Sequence, residues 1–229
     1  MLCPGEDDAA FQVVLAKAGA AAAPTEAVNC FFPGGLKNTG PDVDAAALDA
    51  WVETACRRAA TAGVEIIVFG SGGSRAVPEG FDRNRAAGQL VENMKRYGPI
   101  AAAHGVTIAL EPLNTKDCNF VNSVDEGAEL VRSAGHPNIR LLIDTYHMAV
   151  DNDPADSIRR AEGLVVHAHC AEGDGRGPLG AAGEDQRPYF RAMKDIGYDG
   201  RISLECSWQD FAAQIGPAAA ELRRQWDTA

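Results

Sequence analysis

The sequence is short of aromatic residues, 7% Phe, Trp and Tyr, and it has no excess of positive charge. Against 32 Asp and Glu stand only 21 Lys and Arg, a formal net charge of −11. Such a surface repels a polyanion over most of its area, which argues against a nucleic-acid partner. No stretch approaches the ~18 consecutive apolar residues of a membrane helix, so no membrane partner is expected. The opening residues, Met1-Leu2-Cys3-Pro4-Gly5-Glu6-Asp7-Asp8, lack the basic and apolar segments of an export signal. Cys3, Cys30, Cys56, Cys118, Cys170 and Cys206 are scattered, with no Cys-x-x-Cys pair. That spacing argues for free thiols in a reducing compartment, the cytoplasm by default, and against a thiolate zinc site or a disulfide frame. Repeats, low-complexity tracts and linkers are also lacking. The expectation is therefore one α/β domain over residues 1–229.

What is present is a globular composition, 46% hydrophobic and 23% charged. Short β-rich runs alternate with amphipathic stretches. Strands are predicted at Ala27–Phe31, Val64–Phe69, Val106–Glu111, Ile139–Asp144, Leu164–His169 and Arg201–Glu205. Their starts lie 37, 42, 33, 25 and 37 residues apart, room for a helix each time and too far for hairpins. A parallel sheet follows. Asp44 is placed to cap a helix running to Ala62 and ended by Gly63. Arg83–His104 reads as a long helix in which Pro99 predicts a kink or a break near Gly98. Ser123-Val-Asp-Glu126 is a capping box. Asp153-Pro154 places a cap and a first-turn proline. Pro188–Ile196 and Ala212–Trp226 complete the helices.

The last four predicted strands finish in Glu111, Asp144, His169 and Glu205. Apolar or small residues are the usual ending of a buried strand. A single acid there often caps the next helix, but four metal-ligand types in succession are harder to explain so. The carboxyl edge of a parallel sheet or barrel is where sites are built. In a barrel the four side chains would converge. Three carboxylates and one imidazole suit Mn²⁺, Mg²⁺ or Co²⁺ better than a structural zinc. His167 and His169 are two apart and face the same way, with His167 one layer deeper. Cys170 and Cys206 alternate away and read as packing thiols. The Gly70-Ser-Gly-Gly73 turn is too weak a signal for a phosphate cradle.

Glu111-Pro-Leu-Asn114, Asp144-Thr-Tyr-His-Met148, His167-x-His169-x-x-Glu172 and Ile202-Ser-Leu-Glu205 together resemble the sugar isomerase/epimerase superfamily with a xylose isomerase-like TIM barrel. That superfamily includes the ketose 3-epimerases, hydroxypyruvate isomerase and inosose dehydratase. Phe69-Gly-Ser-Gly-Gly-Ser-Arg75 and Gly197-Tyr-Asp-Gly200 are similar to segments of the same group. The resemblance implies that Glu111, Asp144, His169 and Glu205 hold one divalent metal, Mn²⁺ first. It implies substrate-binding roles for Asp117, His147 and Arg176, with Arg176 one residue further from His169 than in the epimerases. Each has a plainer alternative: a turn cap for Asp117, a helix-start residue for His147, a solvated Gly-rich loop for Arg176. Glu172 is placed to support that loop.

The implied activity is a metal-dependent sugar isomerase or epimerase. It would abstract a proton next to a carbonyl through a metal-stabilised enediolate. Glu111 and Glu205 would be the catalytic base and acid, on strands three places apart in an eight-strand ring. The substrate would be a sugar or keto-polyol. A lyase on the same site, of the inosose-dehydratase or C-glycoside-cleaving type, is the alternative, as is a non-catalytic partial-barrel subunit. Six strands are read where the family has eight. The chain is therefore expected to be an N-terminally short (β/α) barrel lacking the first two strands. Residues 1–24 read as the end of the second helix region. A truncated reading frame, a true variant and a barrel edge covered by a homo-oligomer partner all stay open.

Overall fold

The computed structural model describes residues 1–229. Six strands and nine helices follow one another as α1 (Asp8–Gly19), β1 (Ala27–Val28), α2 (Ala45–Thr61), β2 (Ile66–Phe69), α3 (Gly72–Arg75), α4 (Arg83–Ala103) and β3 (Thr107–Leu110), then α5 (Val124–Ala134), β4 (Ile139–Asp144), α6 (Thr145–Asp151), α7 (Ala155–Arg160), β5 (Val165–Cys170), α8 (Arg187–Asp195), β6 (Ile202–Leu204) and α9 (Phe211–Thr228). All six predicted strands are found, each shorter than or as long as read. No helix is long and apolar enough to cross a membrane.

The chain forms two compact units. The first comprises Met1–Leu110, Cys118–Phe120 and Glu129–Arg140. In it β1, β2 and β3 pair in parallel, with Ile67 opposite both Val28 and Ile108. Leu48, Val52, Leu90 and Met94 bury the apolar stripes of α2 and α4. Asp44 caps α2 by accepting from Ala47 N at 3.0 Å, as its position predicts. Strand β1 stops at Val28, three residues early. Cys30 turns into the left-handed region at φ 59°, which breaks the extended path. Phe31 and Phe32 then pack inward on Phe69, with ring centroids 6.0 and 5.0 Å away. Arg58 is buried under the N-terminal segment. It donates to Leu2 O at 3.0 Å and Glu6 O at 2.8 Å, and lies 5.0 Å over the Phe11 ring.

Of the kink or break expected near Gly98, the break is absent: α4 runs through Pro99. Proline removes the hydrogen bond to the carbonyl four residues earlier. Here that residue is Lys95, exposed like Pro99 itself, so water can satisfy the carbonyl while the packed face is undisturbed.

The second unit comprises Glu111–Asp117, Val121–Ala128 and Leu141–Ala229. Strands β4, β5 and β6 pair in parallel, and the register sets Asp144 beside His169 and His169 beside Ser203. Leu142, Ile143, Ala168, Phe190 and Met193 are fully buried. Half of the capping box forms, with Glu126 N donating to Ser123 Oγ at 3.2 Å, while the Glu126 carboxylate accepts from Asn122 N at 2.8 Å, one residue before the cap. Asp153 departs from its expected role. Pro154, not Asp153, is the cap residue of α7, which has no side-chain cap. The Asp153 carboxylate instead accepts from Val124 N at 2.8 Å, serving the first turn of α5.

Gly98 on α4 meets the His136 ring: a Cβ there would lie 2.3 Å from Cγ and 2.7 Å from Cβ. The Cβ cannot swing away, because the backbone fixes it. Gly98→Ala is therefore expected to destabilise the chain by ~1–3 kcal/mol in urea unfolding. His136→Ala in the same chain removes the ring but keeps its Cβ at 2.7 Å, so it should recover only part of that loss. An unchanged midpoint in the single variant would show that the packing is looser than described.

Candidate metal centre

Parity and register place the four strand-end residues on one point. Asp144 closes β4 and His169 is the penultimate residue of β5. Glu111 directly follows β3, and Glu205 directly follows β6, two past Ser203 and so on the same face. One ligand atom from each lies within 4.8 Å of all the others. His169 Nδ1 is 3.1 Å from Glu111 Oε1 and 3.0 Å from Glu205 Oε2. Asp144 and His169 are almost fully buried, Glu111 nearly so, and the Glu205 side chain is one-third exposed.

Crowding acids in a buried place shifts their titration. Burial, then the charge of Glu111, raises Asp144 to about 7. Burial alone would lower His169, but its hydrogen bonds to Glu111 and Glu205 outweigh that and carry it to about 10. Arg176 brings a second positive charge. Its Nη2 donates to Asp144 Oδ2 at 3.2 Å and to Glu205 Oε2, and its Nε to the Glu205 carbonyl at 3.1 Å. The guanidinium stacks 4.8 Å over the Tyr146 ring.

The donor set fits a hard divalent cation. Bonds of ~2.0–2.6 Å to oxygen or imidazole nitrogen keep the ligand atoms of one ion within about 5 Å of each other. The four atoms here meet that limit, and three carboxylates favour Mg²⁺- or Mn²⁺-like ions over a thiolate-seeking one.

The other predicted residues assemble beside this cluster. Asp144 also caps α6, accepting from Tyr146 N at 2.9 Å, which sets His147 on the first turn. His147 Nε2 stands 3.5 Å from Asp144 Oδ2, and its Nδ1 is 3.7 Å from Asp117 Oδ2. Burial holds His147 down at about 4, so the ring is neutral near pH 7. Asp117 is half-exposed. Thus all seven predicted site residues lie in the second unit, and Arg176 is held against the carboxylates instead of being solvated.

The model of the xylose isomerase-like TIM barrel matches residues 6–226. The chain belongs to that family. Among curated relatives, D-psicose 3-epimerase of Ruminiclostridium cellulolyticum is 33% identical over 50% of this chain and 39% of its own length. The 2-oxo-tetronate isomerase of Cupriavidus necator is 34% identical over 56% of this chain and 51% of its own. The chain thus spans about half, or less, of the curated relatives it matches. A crystal structure of a D-allulose 3-epimerase from a Methylomonas species aligns with TM-score 0.85 at 23% identity. That alignment covers 98% of this chain and 85% of the other, and it shows a shared fold.

Within this family member, three contributors to the site carried no assigned role in the sequence reading. Tyr146 is the platform under Arg176. Ser203 Oγ lies 3.1 Å from Nε2 of His167, whose ring stands edge-on 5.2 Å from His169. Burial lowers His167 to about 4, so it is a neutral support for the ligand histidine. Asn114, the last residue of Glu111-Pro-Leu-Asn114, is buried between Asp117 and His147. Its place in the quoted tetrapeptide was the one available signal. Cys170 is buried, and Cys206 Sγ reaches the Cys170 carbonyl at 3.7 Å, so both are packing thiols as read.

Glu172 holds the loop that carries Arg176. Its Oε1 accepts from Gly180 N at 2.8 Å and from Gly183 N and Glu184 N at 3.1 Å, and its Oε2 accepts from Ala182 N at 2.5 Å. Glu172→Ala would strip four amides of their acceptor, at ~1–3 kcal/mol for each one left buried and unsatisfied. Hydrogen exchange at residues 180, 182, 183 and 184 should accelerate by at least about tenfold while the β4 amides keep their protection. Unchanged exchange at these four amides would contradict the cradle.

Proposed function

We propose that this chain is a divalent-metal-dependent sugar isomerase or epimerase acting on a ketose or keto-polyol. The observation that carries the reading is the convergence of Glu111, Asp144, His169 and Glu205 within 4.8 Å at the carboxyl ends of successive strands. Relatives named as psicose epimerase and oxo-tetronate isomerase support the same class of chemistry.

A carbon acid next to a carbonyl is too weak to lose its proton unaided at neutral pH. A bound cation, Mn²⁺ by preference with Co²⁺ or Mg²⁺ as substitutes, would supply positive charge beside the carbonyl and its neighbouring hydroxyl. Asp144 and His169 mainly hold that charge in place. Glu111 and Glu205 also serve as the proton carriers, one removing the proton from one face of the carbon and the other returning a proton to the opposite face. The exposure of Glu205 gives it a route for exchanging its proton with solvent. Asp117, His147 and Arg176 grip the substrate oxygens, and the Tyr146 ring under the guanidinium holds it in place beside the site.

Incubation of the metal-supplemented chain with ketoses and keto-inositols in deuterated water tests this directly. The expected product keeps the substrate's skeleton and carries carbon-bound deuterium. Glu111→Gln and Glu205→Gln should each slow that exchange by about 10²-fold or more. Full exchange in either variant would remove that residue from the proton path. A product lighter by one water would replace isomerisation by dehydration on the same site.

A further inference from the structure

The hydrogen bonds around Asn114 leave little freedom in how its amide is turned. Lys116 N at 3.0 Å and Asp117 N at 3.1 Å both donate to one side-chain atom, which must be the oxygen Oδ1. The other atom is therefore Nδ2, and an amide nitrogen only donates. It lies 2.9 Å from Asp117 Oδ2 and 2.8 Å from His147 Nδ1. The backbone N–H of Asn114 points at the same Nδ1 at 3.1 Å. Two donors converge on Nδ1, so that nitrogen carries the lone pair. In a neutral ring the proton then sits on Nε2. Nε2 faces the metal cluster, 3.5 Å from Asp144 Oδ2, too far for that pair to be a good hydrogen bond.

We propose that Asn114 is a positioning residue that fixes His147 as an Nε2–H donor aimed at the site and holds Asp117 beside it as an acceptor. This deepens the proposed function and rests on it for the identity of the ligand. One wall of the site then offers a fixed donor, His147 Nε2–H, and a half-exposed carboxylate, Asp117. Their chemistry suits adjacent oxygens of a polyol: a carbonyl or hydroxyl oxygen that accepts from His147, and a hydroxyl that donates to Asp117. A ligand lacking an oxygen acceptor at the first position would leave the His147 proton buried and unpaired, which is costly.

The test is ¹⁵N NMR of the His147 ring in the full chain loaded with Mg²⁺, which is diamagnetic. The wild-type spectrum should show a protonated Nε2 and an unprotonated Nδ1. Asn114→Asp puts an acceptor where the donor stood and should move the proton toward Nδ1. Asn114→Ala leaves only the longer backbone donor, 3.1 Å from Nδ1, and should therefore admit a measurable share of ring protonated on Nδ1. With the ketose found to turn over, Asn114→Asp should lower kcat by about tenfold or more with Mg²⁺ content unchanged, and Asn114→Ala should lower it less. A wild-type ring protonated on Nδ1 overturns the proposal, and that spectrum decides even if Asn114→Asp fails to fold. Retention of both tautomer and kcat in a folded Asn114→Asp chain overturns it equally. Absence of any turnover by the wild-type chain would count against the proposed function, while the spectrum would still decide the role of Asn114.

Discussion

Three carboxylates packed against one imidazole cannot all stay ionised in a mostly buried space without positive charge among them. That requirement organises the second unit of this chain. His169 answers it from within the cluster by the proton that Glu111 and Glu205 favour on its ring, a proton that a bound cation would displace to reach the ring nitrogen. Arg176 answers it from the adjoining loop, reaching Asp144 and Glu205. The loop in turn depends on Glu172, whose two oxygens take four backbone amides. Local features that look separate in the sequence, a Gly-rich loop and a buried glutamate, are consequences of one electrostatic demand.

The same demand explains why the site is suited to a divalent cation and to oxygen-rich substrates. Side chains that converge with net negative charge bind such an ion strongly, and burial keeps competing water away. Around this centre the neighbours are polar and directional: a neutral His147, the carboxylate of Asp117, the guanidinium of Arg176. Such an arrangement meets hydroxyl and carbonyl oxygens and has little to offer an apolar ligand.

The sequence made the parallel strands and the four converging residues legible because both rest on strong local rules. Alternating β-rich runs at helix-length spacing admit few topologies, and a polar residue at a strand end is conspicuous. Parity alone put His167 beneath His169, and the ring contact agrees. Features set by tertiary surroundings were not legible. The helix persists across Pro99 with both Pro99 and Lys95 on its exposed side, which only the packed orientation of α4 decides. Asp153 sits where a cap for its own helix is expected, yet the neighbouring α5 N-terminus takes its carboxylate. Arg176 lies in a loop that could equally have been solvated, and its place is fixed by partners far away in sequence, Asp144 and Tyr146. Asn114 acts through a histidine 33 residues further along, a link that no local pattern carries.

The central claim is that these four strand-end residues form a single divalent-cation site. Equilibrium dialysis of the full chain against Mn²⁺, with metal content read by mass spectrometry, tests it most directly. The account predicts about one Mn²⁺ per chain, with retention sharply reduced by Asp144→Asn or His169→Ala. No retained Mn²⁺, Co²⁺ or Mg²⁺, or equal retention in the substituted chains, would contradict it.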